Sequence, residues 1–176
     1  MKKHLIIGKP ISHSLSPKIH NYWFKENNIE GTYEKFEVER NQLENFIKDI
    51  KEKKIHGMNV TVPFKQEIIP FLETLSKTAK ETYSVNTIYN KDGKVHGDNT
   101  DVYGFEQSII NKELDLKNKS ALILGAGGVV PSIILGLQNL QIGKIYLSNR
   151  TLKKAEAVKE KYNYVEIIDW GKIQGL

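Results

Sequence analysis

Short apolar runs alternate with amphipathic stretches along the chain, and this predicts strands and helices in alternation. Residues 4–8 read as a short buried strand. Ser16 stands directly before Pro17, the favoured order of a helix start, so Ser16 is expected to cap a helix carrying Ile19, Tyr22 and Trp23 on one face. Residues 32–38 alternate as a strand, and Leu43, Phe46, Ile47 and Ile50 then give the i, i+3, i+4, i+7 stripe of an amphipathic helix. A strand over 58–62 ends at Pro63. A helical stretch follows that is stopped near Pro70, and another helix covers about 76–83. Strands over 85–89 and 94–97 flank Asn90-Lys91-Asp92-Gly93, a hairpin turn.

A second unit begins after about residue 101, giving domains over 1–101 and 102–176. Residues 101–114 read as a connecting helix. Ala121-Leu122-Ile123-Leu124 is a continuous apolar run, as expected of a parallel strand covered on both faces. A glycine turn leads into a helix running through Leu140 and closed by Gly143; a strand over 145–147, a helix over 151–162 and a strand over 165–168 follow. The fold class is therefore α/β, and the second unit is β-α-β-α-β, half of a doubly wound nucleotide-binding fold.

Composition narrows the function classes. The 176 residues contain no cysteine, which excludes disulfides, thiolate metal sites and cysteine nucleophiles. Apolar content of 39% and charged content of 27% are ordinary for a globular chain. No apolar run approaches the roughly 20 residues a membrane span needs, and no secretion signal opens the chain, so a cytoplasmic location without a membrane partner is expected. The net charge of +5 raises the question of nucleic acid. The lysines, however, are dispersed among glutamates, as in Lys51-Glu52-Lys53-Lys54, which reads as solvated helix surface rather than a nucleic-acid face. The histidines show no metal-ligand spacing, so no metal is expected.

Gly125-Ala126-Gly127-Gly128-Val129-Val130 lies between a predicted strand and a predicted helix, the context in which a glycine loop holds a dinucleotide. Glycine lets the backbone approach a pyrophosphate, and the helix N-terminus offers free N–H groups. Val130 stands where a third small residue is usual, so the pattern is imperfect. The next strand ends in Ser148-Asn149-Arg150-Thr151, with no acid to accept from a ribose 2′-hydroxyl. Arg150 instead offers a planar cationic fork suited to a 2′-phosphate, which favours NADP over NAD.

The front unit is richer in small polar residues than packing requires. The turn over 8–17 carries Ser12, Ser14 and Ser16, whose hydroxyls read equally well as local caps or as ligands for a hydroxylated or carboxylated molecule. Asn59 and Thr61 fall on one strand face opposite Val60 and Val62, with Lys65 just beyond the strand end. Asn86-Thr87 and Asp98-Asn99-Thr100-Asp101 add further hydrogen-bonding groups beside strands, or serve as turn residues.

Taken in order, these segments resemble the shikimate dehydrogenase family. The family's G-x-P-I-x-H-S-x-S-P-x-x-H-N stands unbroken over 8–21, N-V-T-V-P-F-K over 59–65, V-N-T over 85–87 and G-x-N-T-D over 97–101, followed by the glycine loop and Asn149-Arg150-Thr151. The resemblance implies a substrate domain with a mixed sheet followed by the first half of a Rossmann-like domain. It implies an NADP-dependent oxidoreductase interconverting shikimate and 3-dehydroshikimate in aromatic amino-acid biosynthesis, with quinate as a close variant. It further implies that Ser14, Ser16, Thr61, Asn86 and Asp101 hold the substrate and that Lys65 and Asp101 are the proton-transfer pair. The cofactor falls to Gly125, Ala126, Gly127, Gly128, Val129, Asn149, Arg150, Thr151 and Lys154.

Two departures from the family pattern stand out. Val129-Val130-Pro131 replaces the small and basic residues usual after the glycines, and valines near a pyrophosphate would weaken or tilt the cofactor. The chain also ends at Leu176, where the family continues. In a strand order 3-2-1-4-5-6 this leaves the first strand as a bare edge, so a truncated or split enzyme is expected, partnered by a second copy or a complementing C-terminal segment. The alternative is a non-catalytic shikimate- or quinate-binding relative.

Overall fold

The computed structural model describes residues 1–172, and its contacts divide the chain into two compact units, Met1–Thr100 and a second from Asp101 onward. The first contains β1 (Lys2–Gly8), α1 (Ser16–Glu26), β2 (Gly31–Glu37), α2 (Leu43–Lys51), β3 (Gly57–Val60), β4 (Thr74–Leu75), α3 (Lys77–Thr82), β5 (Thr87–Lys91) and β6 (Lys94–Asp98). Its six strands form one mixed sheet in the order β2-β1-β3-β5-β6-β4. β1 is parallel to both β2 and β3, whereas β5 runs antiparallel to β3 and to β6.

The core lies on one face of that sheet. Leu5, Ile7, Met58, Val60, Ile88 and Val95 are buried there with Leu43, Ile47 and Ile50 of α2. These three helix positions are one stripe of the amphipathic pattern, and burying such a side chain is worth roughly 1.5–3 kcal/mol. The hairpin closes at Asp92-Gly93, both in the left-handed region with φ of 52° and 78°, which Asp and Gly tolerate.

Three local expectations are corrected. α1 begins at Ser16 itself, so Ser16 is its first residue rather than its cap; the Ser16 N–H instead donates to Ser14 Oγ at 3.3 Å. Ile19, Tyr22 and Trp23 are exposed, because α1 meets the sheet through His20 and Phe24, the i and i+4 positions of another face. No α-helix forms between Pro63 and Pro70. The segment is a series of turns ending in a 3-10 turn at Ile69–Phe71, followed by β4, a two-residue strand too short to register as a periodicity. Ser76 does cap α3, accepting the Ala79 N–H at 3.1 Å.

The second unit contains α4 (Asp101–Ile110), β7 (Ser120–Leu124), α5 (Val130–Asn139), β8 (Lys144–Ser148), α6 (Leu152–Lys161) and β9 (Val165–Ile167). The three strands are parallel in the order β7-β8-β9. Its core is Val130, Ile134, Leu137, Ile145, Leu147, Ala155 and Val165. α4 stops four residues before the expected end, where Glu113 enters the left-handed region. α5 is closed around Gln141, also left-handed, rather than by Gly143. β7 is the outer strand of its sheet: Ala121 and Ile123 pack on the core, while Leu124 is 60% exposed. No helix among the described residues is long and apolar enough to cross a membrane.

Candidate functional site

Strand direction gathers the front-unit motifs at one edge of the sheet. Because β1 and β3 are parallel, Gly8 and Val60 end at the same edge. β5 starts there, with Thr87 opposite Asn59, and β6 ends there, with Asp98 opposite Thr87. The segments 9–15, 61–65, 84–86 and 99–100 therefore all leave one edge. The carboxyl ends of strands in α/β sheets are where ligands bind.

The first two segments are laced together. Thr61 N–H donates to the Ile7 carbonyl at 3.0 Å and Lys9 N–H to the Val62 carbonyl at 2.9 Å. A Cβ at Gly8 would lie 2.6 Å from Thr61 Cγ2, so only glycine permits this approach. The 9–15 segment is also tied to β2 and the residues after it: Lys9 pairs with Glu39, the Lys35 ammonium donates to the Ser12 carbonyl, and Ile11 N–H donates to Glu37 Oε2 at 3.3 Å. Ser14 and Ser16 are half-buried at the start of α1. Lys65 is half-buried too, and its carbonyl accepts the Val85 N–H at 2.8 Å, which joins the second segment to the third.

Asn86 is buried at the centre of this edge. Its Oδ1 accepts from Thr87 Oγ1 at 2.9 Å and from the Thr100 N–H at 3.0 Å, while its Nδ2 donates to Thr100 Oγ1 at 3.0 Å. Its carbonyl accepts from Asn59 Nδ2 at 3.0 Å, and that amide nitrogen also lies 3.2 Å from Thr87 Oγ1. Asn59 Oδ1 in turn accepts from the Tyr33 hydroxyl at 2.6 Å. Burial pushes the Tyr33 phenol well above its ordinary value, an effect the neighbouring Ser16 hydroxyl partly offsets. Tyr33 thus joins a network whose motif members are Ser16, Asn59, Asn86, Thr87 and Thr100. No local signal marks Tyr33, which reaches Asn59 across 26 residues of sequence.

In the second unit, Asp101 is the half-buried first residue of α4. The glycine loop joins β7 to α5. Gly125 has a φ of 104°, a conformation that requires glycine, and its N–H donates to the Ser148 carbonyl at 2.8 Å. Ala126 N–H donates to Asn149 Oδ1 at 3.0 Å, while Asn149 Nδ2 donates to the Thr151 carbonyl at 2.7 Å. Asn149 therefore locks the loop to the end of β8 instead of lying idle at a strand end. Gly127 and Gly128 are exposed, and a Cβ at either would meet nothing within 4 Å.

The two valines of the loop separate. Val130 is 4% exposed and belongs to the core, so only Val129 lies on the outer side of the loop. Arg150, Thr151 and Lys154 are exposed around the start of α6. An open glycine cradle before a helix N-terminus, beside two exposed cations, fits the phosphates of a nucleotide.

Comparison with known proteins agrees with these features. The model of the shikimate dehydrogenase substrate binding domain matches residues 6–88, and that of shikimate / quinate 5-dehydrogenase matches 107–174. The shikimate dehydrogenase (NADP(+)) of Pelagibacter ubique is 56% identical over 170 residues, covering 97% of this chain and 64% of the relative. That of Clostridium beijerinckii is 46% identical, covering 89% of this chain and 58% of the relative. Among solved structures, the shikimate dehydrogenase of Aquifex aeolicus superposes with a TM-score of 0.88 at 38% identity, over 96% of this chain and 62% of that one. The Thermus thermophilus shikimate 5-dehydrogenase solved with NADP(H) and shikimate gives a TM-score of 0.85 at 28% identity, over 96% and 63%. The chain spans less than two thirds of the length of these relatives. With both family models matched in order across the two units, the chain belongs to the shikimate dehydrogenase family.

Proposed function

We propose that this chain carries the substrate and nucleotide-phosphate sites of an NADP-dependent dehydrogenase interconverting shikimate and 3-dehydroshikimate. In this reading residues 1–101 are the substrate domain and 102–176 the cofactor domain. The reading includes a cytoplasmic location, as expected of a biosynthetic dehydrogenase drawing on the cell's NADP pool. The observation that carries it is that the segments bearing Ser14, Thr61, Lys65 and Asn86 meet at one sheet edge, with Ser16 opening α1 directly after the first of them.

Hydroxyls at the N-terminus of α1 suit a carboxylate, because free N–H groups and the helix dipole favour an anion there. Thr61 and Asn86 offer hydrogen-bonding groups to ring hydroxyls. Bound NADP supplies the hydride acceptor. Lys65 and Asp101 share the remaining task, taking the carbinol proton during oxidation and returning it to the carbonyl oxygen in reverse. Such proton transfer is typically worth about 10²–10⁴-fold in rate. Arg150 supplies the charge for the 2′-phosphate.

The test is an NADP-reduction assay with shikimate and with quinate, run on this chain and on one extended to the length of its relatives. Lys65→Ala should cut kcat by about 10²-fold or more while KM changes little. An unchanged kcat removes Lys65 from the chemistry. A chain that neither binds nor oxidises either acid, even when extended, overturns the reading.

A further inference from the structure

Two residues of the first motif, His20 and Asn21, have no part in the chemistry above, yet both engage one side chain. The His20 ring lies flat on the Tyr33 ring, with centroids 4.2 Å apart and planes 5° apart. Asn21 Nδ2 donates to the Tyr33 carbonyl at 2.8 Å, and the Tyr33 N–H donates to Asn21 Oδ1 at 2.9 Å. β2 is an outer strand, so its outward N–H and C=O groups have no strand beyond them. The Asn21 amide supplies both missing partners at this one residue. Tyr33 is thereby held by its backbone and by its ring, and it is only 4% exposed.

What this clamp aims is the phenol. The Asn86 carbonyl can only accept, so the group 3.0 Å from it must be Asn59 Nδ2, and Asn59 Oδ1 must then face Tyr33. The phenol donates to that oxygen at 2.6 Å. Asn59 is consequently gripped at both ends of its amide, and the polarity runs on: Asn59 Nδ2 towards Thr87 Oγ1, Thr87 Oγ1 to Asn86 Oδ1, and Asn86 Nδ2 to Thr100 Oγ1.

We propose that Tyr33 is a positioning residue of the substrate site, clamped by His20 and Asn21 so that its hydroxyl sets the Asn59 amide and, through it, the Asn86 side chain. The inference deepens the functional reading above and rests on it for the identity of the ligand. It also gives the paired His-Asn at the end of the first motif a physical role, which is to hold a tyrosine contributed by the next strand.

Tyr33→Phe keeps the ring, the stacking and both Asn21 bonds, and removes only the phenol oxygen. Its dissociation constant for shikimate, measured by calorimetry, should rise about tenfold, because a half-buried amide oxygen loses its donor. Binding of 2′,5′-ADP at the glycine loop should not change. In an Asn59→Ala background the same substitution should change shikimate affinity several-fold less, since the route through Asn59 is gone and only the contact with the Ser16 hydroxyl remains to be lost. Equal effects in both backgrounds would mean that Tyr33 acts by general packing and would overturn the proposal.

The side-chain amide resonance of Asn59 supplies a readout that needs no ligand. It should shift and exchange faster in Tyr33→Phe but not in Tyr89→Phe, and an unmoved resonance sinks the inference even if shikimate binds. Failure of the unsubstituted chain to bind shikimate, with the Asn59 amide still responding to Tyr33→Phe, counts against the functional reading alone.

Discussion

The Asn86 side chain grips Thr100 twice, accepting its N–H at Oδ1 and donating to its Oγ1 at Nδ2, both at 3.0 Å. This ties the residue before β5 to the segment leaving β6.

Asn86→Ala removes both bonds and leaves the Thr100 N–H and the half-buried Thr87 hydroxyl without the acceptor they share. A loss of about 1–3 kcal/mol in unfolding free energy is expected. Urea denaturation of the chain measures it. A loss below a few tenths of a kcal/mol would show that water replaces the amide at no cost.

Gly8→Ala tests the lacing of the first two loops. The added methyl would lie 2.6 Å from Thr61 Cγ2, 3.0 Å from Ile11 Cδ1 and 3.1 Å from the Val62 carbonyl oxygen. Two of these neighbours are side chains at the candidate site and the third is backbone, so relief requires moving the loop itself. The expected cost is about 1–3 kcal/mol of stability together with weaker shikimate binding. A variant as stable and as tight as the original would mean that the loop yields freely.

Arg150→Ala should separate the two nucleotide classes. If the guanidinium holds a 2′-phosphate, affinity for 2′,5′-ADP should fall about tenfold or more while affinity for 5′-ADP stays within about twofold. Titration of the chain with both nucleotides measures this, and equal losses for the two would remove Arg150 from cofactor selection.

Protonation of the histidines beside α1 should weaken the fold. Burial depresses the affinity of His4 for a proton, with the charge of His56 adding to the effect, and burial alone depresses that of His20. The unfolded chain therefore takes up the proton first as pH falls. The contribution to stability is complete above the ordinary histidine value of 6.5 and declines as pH drops from there towards the lowered folded values. The melting temperature should decrease between pH 7.5 and pH 5.5, and less steeply in the His4→Gln, His20→Gln double variant. Identical slopes would assign the pH dependence to other groups.

Much of the fold was legible because local chemistry decided it. Asp92-Gly93 closes a hairpin, since these two residues accept positive φ at little cost. α2 was readable from its stripe at Leu43, Ile47 and Ile50. The β7–loop–α5 turn announced itself at Gly125, where only glycine adopts the required angle. Where several weak signals compete, tertiary contacts decide between them. Ser16 looked like a cap, but the hydroxyl two residues earlier accepts the N–H. Ile19, Tyr22 and Trp23 looked like a packing face, but His20 and Phe24 make the contact with the sheet.

For the candidate site, the motifs named most of the polar residues but not their meeting place. Sequence by itself determined most of the elements, the glycine turn and the family, because each of those signals rests on residues within a few positions of one another. Tertiary structure alone decided that Tyr33 reaches Asn59 and that Asn86 holds Thr100, because these pairings depend on which strands lie side by side and in which direction. Strand order is set by burial summed over the whole sheet, so no single segment of the chain carries it.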